Sequence, residues 1–233
     1  GVDISNVIKS KEYQTGFSII LTSFQGDRTV LAHRGANAKL NLNDINFNAI
    51  NQSKWLYLAP LNGESTKILD KLAEFAQKND INLAINLGTS SIKSGKENLY
   101  SVLKTAEVVI LNKEEASMLT GIDVRPDTKR EKFSEEIIHP DIVRMMKEIN
   151  SEKAKIVIIT DGKNGAYAFD GKIFFHCGEF PAKVVSTLGA GDAFASTFVA
   201  SMEKTGWNIE KSLKYAAVNS ASVVEHFGAQ SVF

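Results

Sequence analysis

"EVVILNKEEASMLTG", residues 107–121, sets the fold class. Its first half is a continuous apolar run, Val108 to Leu111, with no polar alternation. Such a run belongs to a strand buried on both faces, as in a parallel sheet with helices above and below. Its second half reads as a helix that begins beside Asn112 and stops at Gly121. A strand leading straight into a helix is half of a βαβ unit.

The same alternation extends outward on both sides. Upstream stand a short helix over 44–51, the strand "WLYLA" (55–59), a helix over 64–80, the strand "INLAIN" (81–86) and a helix over 96–106. In the 64–80 helix, Ile68, Leu69, Leu72, Phe75 and Ala76 fall on one face. Downstream, Asp123 to Pro140 reads as a polar surface excursion, followed by the strand "KIVIIT" (155–160). "GAYAFDGKIFFHCGEF" (165–180) reads as an antiparallel pair turning at Asp170-Gly171, and two long helices start at Asp192 and near Asn208. The first 42 residues differ. "TGFSIILT" (15–22) and "RTVLAHR" (28–34), joined by "FQGD" with Gly26, make a β-hairpin that must lean on something, because a lone hairpin is marginal in water.

Composition excludes several classes. Lys plus Arg and Asp plus Glu number 27 each, so no net charge draws the chain to nucleic acid or to an acidic membrane surface. Cys177 is the only cysteine, which precludes an intrachain disulfide and suits a reducing, cytoplasmic setting. His33, His139, His176 and His226 lack metal-ligand spacing. "KREKFSEE" (129–136) reads as a solvated face, and Trp55 and Trp207 as core-edge aromatics.

Ligands of open parallel sheets sit beyond the carboxyl ends of the strands, so three strand ends carry the chemistry. In "STLGAGD" (186–192), Gly189 and Gly191 let a ligand approach the main chain. The amides of Ala190, Gly191 and Asp192 at a helix N-terminus could then hold a phosphate while Asp192 takes a proton from an attacking hydroxyl. The alternative is a tight turn with Asp192 as the helix cap. In "NKEE", Asn112 and Glu115 form a capping-box pattern and could also hold water around Mg²⁺. In "TDGKNG" (160–165), Gly162 and Gly165 suit a turn, and Thr160 with the glycine backbone could lie against a nucleotide.

Together these stretches resemble the ribokinase-like (PfkB) carbohydrate kinases. "STLGAGDAFASTF" is similar to that family's C-terminal signature, "ILNKEEASMLTG" to its N-x-x-E segment and "VIITDGKNGAYAF" to its nucleotide segment. "GVDIS", "GAN" (35–37) and "VVEHFGAQ" follow in the family's order. The resemblance implies a three-layer α/β sandwich with a mostly parallel sheet (43–233) and a small β-lid (1–42). It implies transfer of the ATP γ-phosphate to a hydroxymethyl group of a sugar or nucleoside. Asp192 would be the general base and Gly189, Ala190, Gly191 and Asp192 the anion hole. Asn112 and Glu115 would serve the Mg²⁺–phosphate network, and Thr160, Asp161, Gly162 and Gly165 the nucleotide. A homodimer through the lid follows from the same resemblance.

Departures limit what carries over. Ser186 stands where the family often has Asp, so a monovalent-cation requirement is not transferred. Leu87, Leu188, Thr197 and Ala217 also differ from the usual residues, and no adenine contact is assigned to the last helix. The family's first strands and substrate loop precede the "GVDIS" position, and a further helix follows "GAQ". The chain therefore reads as truncated at both ends, with a non-catalytic nucleotide-binding fragment as the competing reading. A dinucleotide-dependent oxidoreductase is disfavoured, because the glycine spacing is not that fingerprint.

Overall fold

The structure is a computed structural model describing residues 2–22, 28–93, 95, 99–125, 131–133 and 136–228. The turn at Gly26, the start of the 96–106 helix, half of the 129–136 charged stretch and the run-out after Gly228 lie outside those residues.

Strands β1 (Phe17–Thr22) and β2 (Arg28–His33) pair antiparallel as a two-stranded sheet. The chain then runs through α1 (Phe47–Asn51), β3 (Trp55–Leu58), α2 (Leu69–Lys78), β4 (Asn82–Asn86), α3 (Gly88–Lys93), α4 (Tyr100–Thr105), β5 (Val108–Asn112) and α5 (Lys113–Thr120). It continues with β6 (Glu131–Phe133), β7 (Glu136–Ile138), α6 (Pro140–Ser151), β8 (Ile156–Thr160), β9 (Ala166–Phe169), β10 (Phe174–Cys177), α7 (Ala190–Lys204) and α8 (Ile209–Val224). Six strands form one sheet in the order β10-β9-β8-β5-β4-β3. β3, β4, β5 and β8 are mutually parallel, while β9 and β10 extend the sheet antiparallel.

The pleat sends alternate residues to two different helix layers. Leu83, Ile85, Val109, Leu111, Val157 and Ile159 pack with α2, α4, α5 and α6. Their neighbours Ala84, Val108, Ile110, Ile156 and Ile158 pack with α7 and α8. Both faces are thus buried, which is why these strands read as unbroken apolar runs.

Three local details differ from the sequence reading. The stretch 123–140 contains the β6–β7 hairpin. It also contains Arg125, whose Nε and Nη2 donate to the fully buried carboxylate of Asp141 at 3.1 and 2.9 Å. The sequence reading places no helix between Pro140 and the 155–160 strand, because Pro140 looks like the end of a loop; the structure has α6 there. Pro140 is in fact the first helical residue, where a missing N–H costs nothing. The segment before α2 is a 3-10 helix over Gly63–Ile68, so α2 is shorter than expected. Trp207 is exposed and stacks on Trp55 at 5.2 Å, an edge pair.

Candidate active site

The N-terminus of α7 lies at the carboxyl end of the sheet. Gly189 is its N-cap, with φ +83° in the left-handed region that glycine tolerates. The helix begins at Ala190, two residues earlier than the sequence reading set it. The first i→i−4 bond runs from the Ala193 amide to the Gly189 carbonyl at 2.9 Å. The Ala190 amide donates to Thr187 at 3.4 Å, so of the three candidate amides it is the one already engaged. Those of Gly191 and Asp192 precede the ladder and sit at the positive end of the helix dipole. Gly191 is exposed and no atom lies within 4 Å of where a β-carbon would stand, so its role is open space rather than backbone strain. Asp192 occupies the third helical position. Its carboxylate is exposed, does not cap the helix, and makes no hydrogen bond or ion pair among the described residues.

At the β5 end the capping box is complete. Asn112 Oδ1 accepts from the Glu115 amide at 2.8 Å, and Glu115 Oε2 accepts from the Asn112 amide at 3.0 Å. Glu115 is buried, and burial pushes its carboxyl pKa up against the opposing pull of that amide. One Glu115 oxygen and the Asn112 amide nitrogen are not used by the box. That donor set is too small for an all-protein metal cage, and no group of three or more His, Cys, Asp or Glu gathers among the described residues. It fits Mg²⁺ held largely through water and phosphate.

Asn112 stands opposite Thr160 in the β5–β8 ladder, so two of the strand ends are adjacent. Asp161 follows Thr160, but its carboxylate turns toward α5. It pairs with Lys113 and accepts from Asn164 Nδ2 at 2.9 Å. Asp161 therefore ties the two strand ends together. Gly165 has φ +84°, and a β-carbon there would stand 2.0 Å from the Cys177 carbonyl oxygen, so only glycine fits.

A cavity of about 310 Å³ opens between the β8 end, α7 and α8. Thr160, Gly162, Gly165, Ala190 and Gly191 line it, as do Cys177, Phe180, Ala217 and Val224. The structure thus brings the 160–165 and 186–192 motifs of the sequence reading into one concavity. Asn112, Glu115, Asp161 and Asp192 are not among its lining residues. The apolar wall from β10 and α8 is not part of the sequence reading; small residues such as Ala217 and Ala221 on one side of α8 are its sequence signal. The segment after β10 is pinned over the cavity by α8. Lys183 donates its amide to Glu225 at 3.1 Å, and Val185 and Ser186 donate to the Val224 carbonyl at 2.7 and 3.1 Å. Among the described residues no helix is long and apolar enough to cross a membrane.

Comparison with known proteins gives the family and the fold. Residues 1–233 match the model of the pfkB family of carbohydrate kinases. The chain is 26% identical over 234 residues to a bifunctional ribokinase/ribose-5-phosphate isomerase A of Fructilactobacillus sanfranciscensis, covering 99% of this chain and 40% of that protein. It is 29% identical over 237 residues to a 5-dehydro-2-deoxygluconokinase of Geobacillus thermodenitrificans, covering 96% of this chain and 66% of the relative. The chain therefore spans less than two thirds of either relative. The structure of Arabidopsis thaliana ribokinase complexed with ribose and ATP shares the fold at a TM-score of 0.74 and 21% identity, over 94% of this chain and 65% of that one.

Proposed function

The chain belongs to the pfkB family of carbohydrate kinases, and from that premise we propose that it serves ATP-dependent phosphorylation of a hydroxymethyl group on a sugar. One observation carries the reading: an exposed carboxylate, Asp192, stands beside the Gly191 and Asp192 amides at a helix N-terminus, all without a partner among the described residues, next to a nucleotide-sized cavity. A carboxylate is a poor phosphate ligand. It is a suitable acceptor for the proton of a hydroxyl that attacks phosphate.

In this reading the cavity holds the nucleotide. Gly162, Gly165 and Thr160 line it, and Asp161 supports the turn through Lys113 and Asn164. The amides of Gly191 and Asp192 receive charge that develops on the transferred phosphoryl group, and Asp192 takes the proton of the attacking hydroxyl. Asn112 and Glu115 would hold water around Mg²⁺, which neutralises phosphate charge when bound. The exposed apolar residues of β1 and β2 suit a lid over the sugar, covered by a second copy of the chain.

Asp192→Asn tests the assignment in the full-length protein. Asparagine keeps the shape but cannot accept the proton, so kcat should fall by roughly 10²- to 10⁴-fold with the melting curve unchanged. A wild-type kcat would remove Asp192 from the chemistry. A coupled ADP-release screen over pentoses, hexoses and nucleosides identifies the acceptor, and preference for a nucleoside would move the protein to the nucleoside kinases of the family.

A further inference from the structure

The sheet face beneath α7 carries a polar pair that the reaction as described leaves unused. Tyr57 on β3 stands opposite Ala84 on β4, and Asn86 lies two residues further along β4. The two-residue pleat turns all three toward the same face. Ala84 belongs to the cluster formed by Phe194, Ala195 and Phe198 of α7, and the Tyr57 ring packs against that cluster. Phe194 and Ala195 lie two and three residues after Asp192, within one helical turn of it, so Tyr57 packs under the stretch of α7 that presents the carboxylate.

The Tyr57 hydroxyl is buried and has no hydrogen-bond partner among the described residues; the same holds for Asn86 Oδ1. The Asn86 side chain lies beside the phenol, but no bond of ordinary geometry joins them. An unmet buried hydroxyl weakens a fold. If this position served packing alone, phenylalanine would fill it at lower cost.

We infer that Tyr57 is a positioning residue for the phosphoryl transfer: its hydroxyl donates to the Asp192 carboxylate when that side chain turns inward from solvent, with Asn86 orienting the phenol. Asp192 has no other restraint among the described residues, so its rotamer is otherwise set only by the helix. Burial, and then the nearby Asp192 charge, push the phenol pKa up to about 12. The phenol therefore keeps its proton at neutral pH and can serve the carboxylate only as a donor. This role rests on the kinase reading, whereas the contact between Tyr57 and Asp192 does not.

The test is Tyr57→Phe, alone and combined with Asp192→Asn, in the full-length protein. The single variant should keep or raise the melting temperature. It should leave the acceptor KM nearly unchanged and lower kcat about ten- to a hundredfold, the worth of one hydrogen bond to a charged group. In the Asp192→Asn background the same change should cost nothing more, because residues that act as a unit are not additive. An unchanged kcat, an equal loss in both backgrounds, or a lowered melting temperature overturns the inference. A second arm needs no turnover. In protein labelled with ¹³C-carboxyl aspartate, the Asp192 resonance, assigned by its loss in Asp192→Asn, should move in Tyr57→Phe. If the wild type phosphorylates no sugar or nucleoside, the kinase reading fails and this resonance alone decides. A shift upholds the contact, and a stationary resonance overturns it.

Discussion

β5 and β1 are written in nearly the same alphabet. "VVILN" and "FSIILT" are both rich in β-branched and large apolar residues. Yet Val108, Val109, Ile110 and Leu111 of β5 are at most 2% exposed, whereas Phe17, Ile19 and Leu21 of β1 are all more than half exposed. The difference lies in the layers. Helices cover both faces of β5, while β1 belongs to a two-stranded sheet with β2 among the described residues, with Ile19 against Leu31 across the ladder. Strand-forming residues specify an extended backbone; they do not specify what will cover it. The site is assembled where the covering is complete, and the hairpin is left with an apolar surface for something outside its own sheet.

This contrast is sharpened most by truncating the completed layer. Phe198 on α7 is fully buried against the sheet. Phe198→Ala should lower unfolding stability by about 3–5 kcal/mol, as measured by urea denaturation. A loss no larger than that of a surface change would mean that α7 does not seal the core.

A smaller effect is expected at the other helix layer, under acid. Hydrogen bonds from Arg125, aided by Arg144, hold the Asp141 carboxyl well below the usual carboxylate range despite its burial. Its folded pKa is therefore below the unfolded value of about 3.9. The stability it contributes is complete above that value and is lost as pH falls through the folded one. Both arginines are mostly exposed, so solvent tempers the contribution. Urea midpoints of wild type and Asp141→Asn should differ by a constant amount at neutral pH and begin to converge below about pH 4. A gap independent of pH would show that the pairing is immaterial.

The smallest effect should come from the hairpin. Ile19→Thr with Leu31→Thr keeps the β-branched preference at one position, introduces it at the other, and removes apolar surface. Stability should change by no more than about 0.5 kcal/mol, as for ordinary surface sites. A large loss would erase the contrast by showing that the hairpin is part of the core. If the hairpin mediates self-association, sedimentation equilibrium should show a weaker dimer for this variant.

Local signals were the ones legible in the sequence. The β5–α5 unit could be read because its apolar run, its Asn112–Glu115 cap and its Gly121 stop all lie within fifteen residues. The parallel sheet followed from several such units in succession. What escaped depends on contacts between distant segments. Asp161 sits in a nucleotide-like motif, but its carboxylate is claimed by Lys113 across two strand ends. The Arg125–Asp141 pair turns an apparently solvated excursion into an anchor. Tyr57 meets Phe194 and its neighbours on α7 only through the packing of that helix on the sheet, more than a hundred residues along the chain. No spacing rule within one segment could announce any of these.

The wall of the cavity has a practical consequence. Cys177, the sole cysteine of the chain, is partly exposed and lines that wall, in the same cavity as Gly191 of α7. The protein thus comes supplied with one thiol handle on the wall of the cavity proposed for the nucleotide. A maleimide dye attached there, with no other cysteine to silence, would make the molecule its own optical reporter of occupancy.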